Sequence, residues 1–314
     1  MPKMNTDQAR VIDPILSNHA RAYTNPEMIA QNLFPNVDVP VRGGRVIQFG
    51  KESFRLHSAR RAPGADTRRV QFGFASNPIS VVQEALEGVV PFEIMEEANN
   101  VPGVDMAAGS VDMVMETMKL NLEFECSQLA MNAAGYDANH KVALAGTDKW
   151  TDYANSDPIK DINDAREAVR RSIGRYPNTL VLGADVFAVL KEHPAIMAKV
   201  KYNSDQSMTE AILARIFDVS KVVIGKAIYL PETAAETDLA TDVWGGAVIL
   251  AWVPPAGQNY RVPSFGYNYQ LPGMPMVEEP YFERKPKSWL YPVTYERQPY
   301  IVGADAGFLI QTPI

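Results

Sequence analysis

The chain has 314 residues, 46% hydrophobic and 21% charged, with a net charge of −7. That is ordinary globular composition, long enough for two or three cores. Its acidic balance excludes a protein that coats nucleic acid over its whole surface, because phosphate binding needs a basic face.

Cys126 is the single cysteine, so no intrachain disulfide forms. The start of the chain carries no secretory signal, and no apolar run approaches the roughly 20 residues that span a bilayer. A soluble intracellular product is expected, with no membrane partner.

Residues 1–45 are punctuated by Pro14, Pro26, Pro35 and Pro40, with scattered apolar pairs such as Val11-Ile12 and Leu33-Phe34. Such a pattern makes no core of its own and predicts an extended arm that docks elsewhere, on a neighbour. Residues 46–76 predict a long hairpin, with strand-type runs at Val46-Ile47-Gln48-Phe49 and Val70-Gln71-Phe72-Gly73-Phe74 and a Pro63-Gly64 turn. Its tip is basic, with Arg55, Arg60, Arg61, Arg68 and Arg69 opposed by Asp66 alone. Residues 79–97 reverse the sign: Glu84, Glu87, Glu93, Glu96 and Glu97 stand there without a Lys or Arg. Like charges this close need solvent or a partner. The arginine tip of one copy is expected to meet this strip on the next.

Residues 110–134 predict one long helix. Val111, Val114, Met115, Met118, Leu122, Cys126, Leu129 and Ala133 recur at three- and four-residue steps. Glu116, Lys119, Glu123 and Glu125 are expected to keep part of it wet, Ser110 to cap it and Gly135 to stop it. The rod would be roughly 37 Å long.

Residues 141–255 predict a compact α/β unit. A helix follows the cap Asp157-Pro158, buries Ile162, Ala165, Val169 and Ile173, and closes at Gly174. Thr179-Leu180-Val181-Leu182 reads as a buried strand, and Ser207-Met208-Thr209-Glu210 as a capping box. Residues 231–242 are acidic and read as a loop or hairpin. The tail, 256–314, is rich in Pro and Tyr; strands at 289–295, 299–302 and 307–310 are expected to return to the long helix.

No motif for catalysis appears. Gly50-Lys51 is no phosphate loop, since Arg45 stands where its first Gly belongs and Glu52 where Ser or Thr belongs. There is no G-x-G-x-x-G and no G-x-S-x-G. His19, His57, His140 and His193 are scattered and lack zinc spacing. Glu96-Glu97 and Glu278-Glu279 are neighbours in sequence and read as surface charge, since acid–base work needs carboxylates held across a cleft. No enzyme activity, cofactor or metal is expected.

The layout resembles the major capsid proteins of tailed bacteriophages, the Hong Kong 97-like coat fold. The residues that carry the resemblance are 46–74 as the extended loop, Asn77-Pro78-Ile79 leading out of it, and 110–135 as the spine helix. Gly174-Arg175-Tyr176-Pro177-Asn178-Thr179-Leu180-Val181, Leu190-Lys191-Glu192-His193-Pro194 and Tyr295-Glu296-Arg297-Gln298-Pro299-Tyr300-Ile301-Val302 add to it. It implies an α+β fold with an N-terminal arm (1–45), an extended loop (46–76), a peripheral domain (77–140, completed by 256–314) and an axial domain (141–255). It implies a structural subunit that self-assembles into hexamers and pentamers of an icosahedral shell in the virion. That shell encloses double-stranded DNA without reading its sequence and is built in the host cytoplasm with scaffolding, portal and decoration proteins. The alternatives are a nanocompartment shell of the same fold, an α/β enzyme built on 141–255, and a decoration or tail component.

Overall fold

The computed structural model describes residues 12–48, 75–101, 105–200, 208–235, 237–255 and 264–314. The basic hairpin tip lies outside these residues. A single helix, Met106–Met131, joins two lobes. Its 26 residues make a rod about 39 Å long. It starts a turn before Ser110 because Asp105 takes the cap. That carboxylate accepts the backbone N–H of Ala107 and of Ala108, each at 3.0 Å. It stops short of Gly135 because Asn132 turns extended and accepts from the Ala134 N–H at 3.0 Å, opening a short 3₁₀ turn.

The apolar stripe divides between the lobes. Val111, Val114, Met115 and Met118 pack with Tyr291, Val293 and Tyr295 of the first lobe. Leu122, Cys126 and Ala130 pack with Val181, Ile249 and Leu309 of the second. One amphipathic rod therefore supplies a wall to two cores.

The first lobe is a six-stranded sheet built on Ser288–Ile301. Val82–Pro91 runs antiparallel along one side of that strand, from Arg297↔Val82 to Ser288↔Pro91. Gly266–Gln270, Met276–Val277 and Tyr281–Glu283 succeed one another along its other side. Asn36–Asp38 lies parallel beyond Gly266–Gln270. The two short tail strands expected at 289–295 and 299–302 are thus one continuous strand of 14 residues. Gly88 is required where this sheet crosses the helix: a Cβ there would sit 2.1 Å from Ser110 Oγ and 3.0 Å from the Ser110 carbonyl oxygen.

The second lobe is a five-stranded sheet in the order Lys141–Ala143, Gly307–Gln311, Val248–Ala251, Thr179–Gly183, Lys221–Gly225. Its strands bury both faces, with period two. Leu180, Leu182, Val248, Leu250, Phe308 and Ile310 face the helices, where Ile162, Ala165 and Val169 of Pro158–Ile173 meet them. Val181, Ile249 and Leu309 face the long helix. Asp157 caps Pro158–Ile173, and Gly174 ends it at φ +69°, as its sequence predicts. The helix expected to open at Ser207 runs Glu210–Ile216, with Thr209 as its cap. Gly307–Gln311 differs from expectation. It hydrogen-bonds into this sheet between Val248–Ala251 and Lys141–Ala143, although Leu309 still packs beside the long helix.

The described part of the arm also differs. It forms a helix, Pro14–Ala22, capped by Asp13, where an extended segment was expected, and it packs on its own chain. Ala20 is buried with Met115 and Met118, and Ser17 exchanges two hydrogen bonds with the Val277 backbone, at 2.9 and 3.2 Å. Ile29, Leu33 and Phe34 then enter the core of the second lobe. Ala20, Leu33 and Phe34 are thus buried within the chain, whereas Ile12 and Ile15 stay exposed.

Candidate functional site

Three buried charges tie separate segments of the chain together. Glu123, expected on the wet side of the long helix, is 1% exposed. Its Oε1 accepts from the Ile29 N–H at 2.8 Å and from the Trp244 indole N–H at 2.5 Å, and its Oε2 from the Ala30 N–H at 2.8 Å. One carboxylate thus ties arm, rod and second lobe. Desolvation raises its pKa, and those hydrogen bonds, which favour the charged form, oppose the rise.

Arg297 is buried against the rod. Its Nη1 donates to Glu125 at 2.6 Å and its Nη2 to Glu84 at 2.8 and 3.0 Å. Glu296, next in the strand, points to the other face. It accepts a two-pronged bond from Arg42 of the arm, 2.5 Å from Nε and 2.7 Å from Nη2, and this pairing lowers the Glu296 pKa. Glu296 and Arg297 therefore anchor two different segments from the two faces of one strand.

An open strand edge lies on the first lobe. Among the described residues, Val82–Pro91 has a strand partner on one edge alone, and its other edge presents unpaired backbone groups. Val82 (52% exposed), Leu86 and Val89 line it, and Phe92, Ile94, Tyr281 and Phe282 continue the apolar surface. The acidic strip falls on the same elements. Glu93, Glu96 and Glu97 stand exposed on the helix Phe92–Asn99. Glu87, also exposed, accepts from the Tyr281 hydroxyl at 3.2 Å. Glu84 differs from the rest, because Arg297 of its own chain already pairs with it. Burial raises the Glu84 pKa and Arg297 opposes that rise. Arg55, Arg60, Arg61, Arg68 and Arg69 lie outside the described residues.

The described histidines serve the fold. His140 bonds the Gly307 carbonyl at 2.8 Å and Ser172 Oγ at 2.7 Å. His193 bonds Ser156 Oγ at 3.1 Å and accepts from the Ala195 N–H at 3.2 Å. Both are buried, where a loop histidine would be expected at the surface. His19 meets Asp112 of the long helix at 2.8 Å. Among the described residues no group of three His, Cys, Asp or Glu side chains is placed to hold a metal. The cavity beside Lys119 and Glu123 measures about 50 Å³, room for a water or two.

A six-stranded sheet and a five-stranded sheet joined by one long helix define a Hong Kong 97-like coat fold. The family of phage major capsid protein E matches residues 131–226. The major capsid protein of Burkholderia phage BcepMu is 37% identical over 310 residues, 96% of either chain. A phage-related protein from Bordetella bronchiseptica RB50, solved by crystallography, is 42% identical with a TM-score of 0.84, covering 98% of this chain and 99% of that one. A prophage protein from Escherichia coli CFT073 shares the fold at 11% identity, with a TM-score of 0.60 over 99% of both chains. The chain belongs to the phage major capsid proteins. It is a structural shell protein rather than an enzyme, and the α/β-enzyme alternative falls away.

Proposed function

We propose that copies of this chain assemble into hexamers and pentamers of an icosahedral phage head that encloses double-stranded DNA. Assembly takes place in the host cytoplasm, with scaffolding, portal and decoration proteins as further partners. The observation that carries this reading is the open edge of Val82–Pro91, with exposed apolar side chains along it. Such an edge on a soluble chain is a pairing surface. Unlike surfaces on identical copies make contacts that close rings, and the angle of closure sets curvature. A net charge of −7 suits a wall that must not adhere to the nucleic acid inside.

In this reading 1–45 is the arm, 46–76 the extended loop, 77–140 with most of 256–314 the peripheral domain, and 141–255, joined by the strand Gly307–Gln311, the axial domain. The loop arginines Arg55, Arg60, Arg61, Arg68 and Arg69 of one copy meet Glu87, Glu93, Glu96 and Glu97 of the next. Glu84 and its Arg297 form the inner margin of that strip. Arg60→Glu with Arg61→Glu should lower particle yield while the monomer stays folded, and raised salt should weaken the unmodified chain's assembly in parallel. Normal yield of the variant at physiological salt would remove the loop–strip contact. Unmodified chains that form no closed shells would remove the function itself.

A further inference from the structure

The second lobe carries two unlike surfaces that the contacts above leave unused. One is an arginine–tyrosine face at the end of Pro158–Ile173. Arg166, Arg170, Arg171 and Arg175 stand within ten residues of chain. The guanidinium of Arg166 lies 5.2 Å from the centre of the Tyr176 ring and that of Arg170 5.6 Å, while Arg175 covers Trp252 at 4.6 Å. Tyr176 is 48% exposed. Two carboxylates answer the four arginines: Asp218 pairs with Arg166 and Glu167 with Arg170. Among the described residues, Arg171 and Arg175 have no ion-pair partner, and Arg166 Nε is buried without a hydrogen-bond acceptor. The face keeps a positive excess and an exposed ring.

The other surface is the acidic hairpin of residues 228–242. Its base is held. Ile228 pairs with Asp242 and Tyr229 with Thr241, and the Tyr229 ring packs 4.7 Å from that of Phe124. Beyond the base the chain is acidic, and no Lys or Arg occurs from Ala227 to Tyr260. Glu232 and Asp238 are exposed, and Leu239 is 92% exposed, the most exposed large apolar side chain described.

The two surfaces lie at opposite ends of one strand. Asp218, which holds Arg166, precedes Lys221–Gly225, and the hairpin follows it. Five strand residues separate the ends by about 16 Å. The hairpin also springs from the sheet face toward the long helix, whereas the arginines lie on the helix of the other face. Leu239 is close to fully exposed among the described residues.

We propose that the acidic hairpin of one copy docks on the arginine–tyrosine face of the next, with Leu239 seated on the Tyr176 ring and Glu232 and Asp238 facing Arg171 and Arg175. The partner is a second copy of this chain, argued from charge complementarity and from the placement of both surfaces on one lobe. The contact is head-to-tail, so each copy uses both surfaces and the chain of contacts closes into a ring. This deepens the shell reading and rests on it.

The test is a charge exchange. Glu232→Lys with Asp238→Lys, and separately Arg171→Glu with Arg175→Glu, should each lower particle yield at least tenfold at about 0.15 M salt, where screening is still partial. The monomer should stay folded by circular dichroism, since each variant gives up one intrachain contact at most, Asp238 with the Ala235 N–H or Arg175 with Trp252. All four substitutions in one chain should restore yield to within about threefold of the unmodified protein. Leu239→Ser, which disturbs no intrachain packing, should lower yield several-fold on its own. Normal assembly of either charge-reversed chain, or failure of the combined chain to recover, would overturn the proposal. If unmodified chains form rings but never closed shells, the shell reading fails, while the same reversals read by sedimentation of the rings still decide the contact.

Discussion

Glu123→Gln probes the joint between arm, rod and second lobe most directly. The glutamine carbonyl can replace Oε1 and keep the bonds from Ile29 and Trp244. Its amide nitrogen then stands where Oε2 accepted from the Ala30 N–H, so donor faces donor. A buried donor left without an acceptor costs about 1–3 kcal/mol, which for a chain of this size lowers the melting temperature by roughly 2–6 °C. Glu123→Ala strands all three donors and leaves a cavity, and a loss near 4 kcal/mol is expected. Differential scanning calorimetry reads the stability. Hydrogen exchange at the Ile29 and Ala30 amides reads the joint itself, and both should lose protection.

A pH series supplies a second reading of Glu123. Burial raises its pKa in the folded chain above 4.5. Its contribution to stability is therefore fully present below pH 4.5 and is lost as pH rises through the folded value. Glutamine has no such titration, so the stability gap between wild type and Glu123→Gln should narrow as pH rises above 4.5. A Glu123→Gln chain with unchanged melting and unchanged amide protection would refute the claim that this carboxylate holds the arm.

Arg297→Met removes the cation between Glu84 and Glu125 and should cost about 1–3 kcal/mol in urea unfolding, since water reaches both carboxylates left behind. Gly88→Ala forces the strand off the long helix at Ser110 and should destabilise by about 1–3 kcal/mol in the same assay. The thiol of Cys126 is fully buried and its pKa is pushed up by desolvation; Ellman's reagent should find no reactive thiol in the native chain and one after denaturation. Glu167 is held down at about 2, chiefly by hydrogen bonds from Arg170 and Tyr176. Arg170→Gln should therefore move its titration up toward the ordinary glutamate range in a carbon-13 NMR series.

The fold was legible wherever apolar residues kept a period. Leu180, Val181 and Leu182 read as a buried strand because both faces of that sheet are covered. Val111 to Cys126 read as a rod because the stripe repeats at helical steps. The joint was less legible. A glutamate among wet-looking neighbours on a helix gives no sign that Ile29, Ala30 and Trp244, brought there by the tertiary fold, will surround it.

The arm's need for a partner was legible, and the identity of that partner was not. Scattered apolar pairs say that a segment needs a partner but not whose partner it is, and here Ala20, Leu33 and Phe34 find theirs within the chain. Gly307–Gln311 reads as a strand, but its choice of sheet is set by Val248–Ala251 and Lys141–Ala143 on either side. Glu296 and Arg297 lie inside an apolar strand, and the alternation of strand side chains explains why each charge serves a different face.

Electron microscopy of purified chains, concentrated from the monomer at near-physiological salt, puts the self-assembling coat subunit to its plainest trial. Closed shells with five-fold and six-fold clusters of subunits are the expected image. Discrete small oligomers at every concentration, salt and pH tried, and with scaffolding protein supplied, would contradict it.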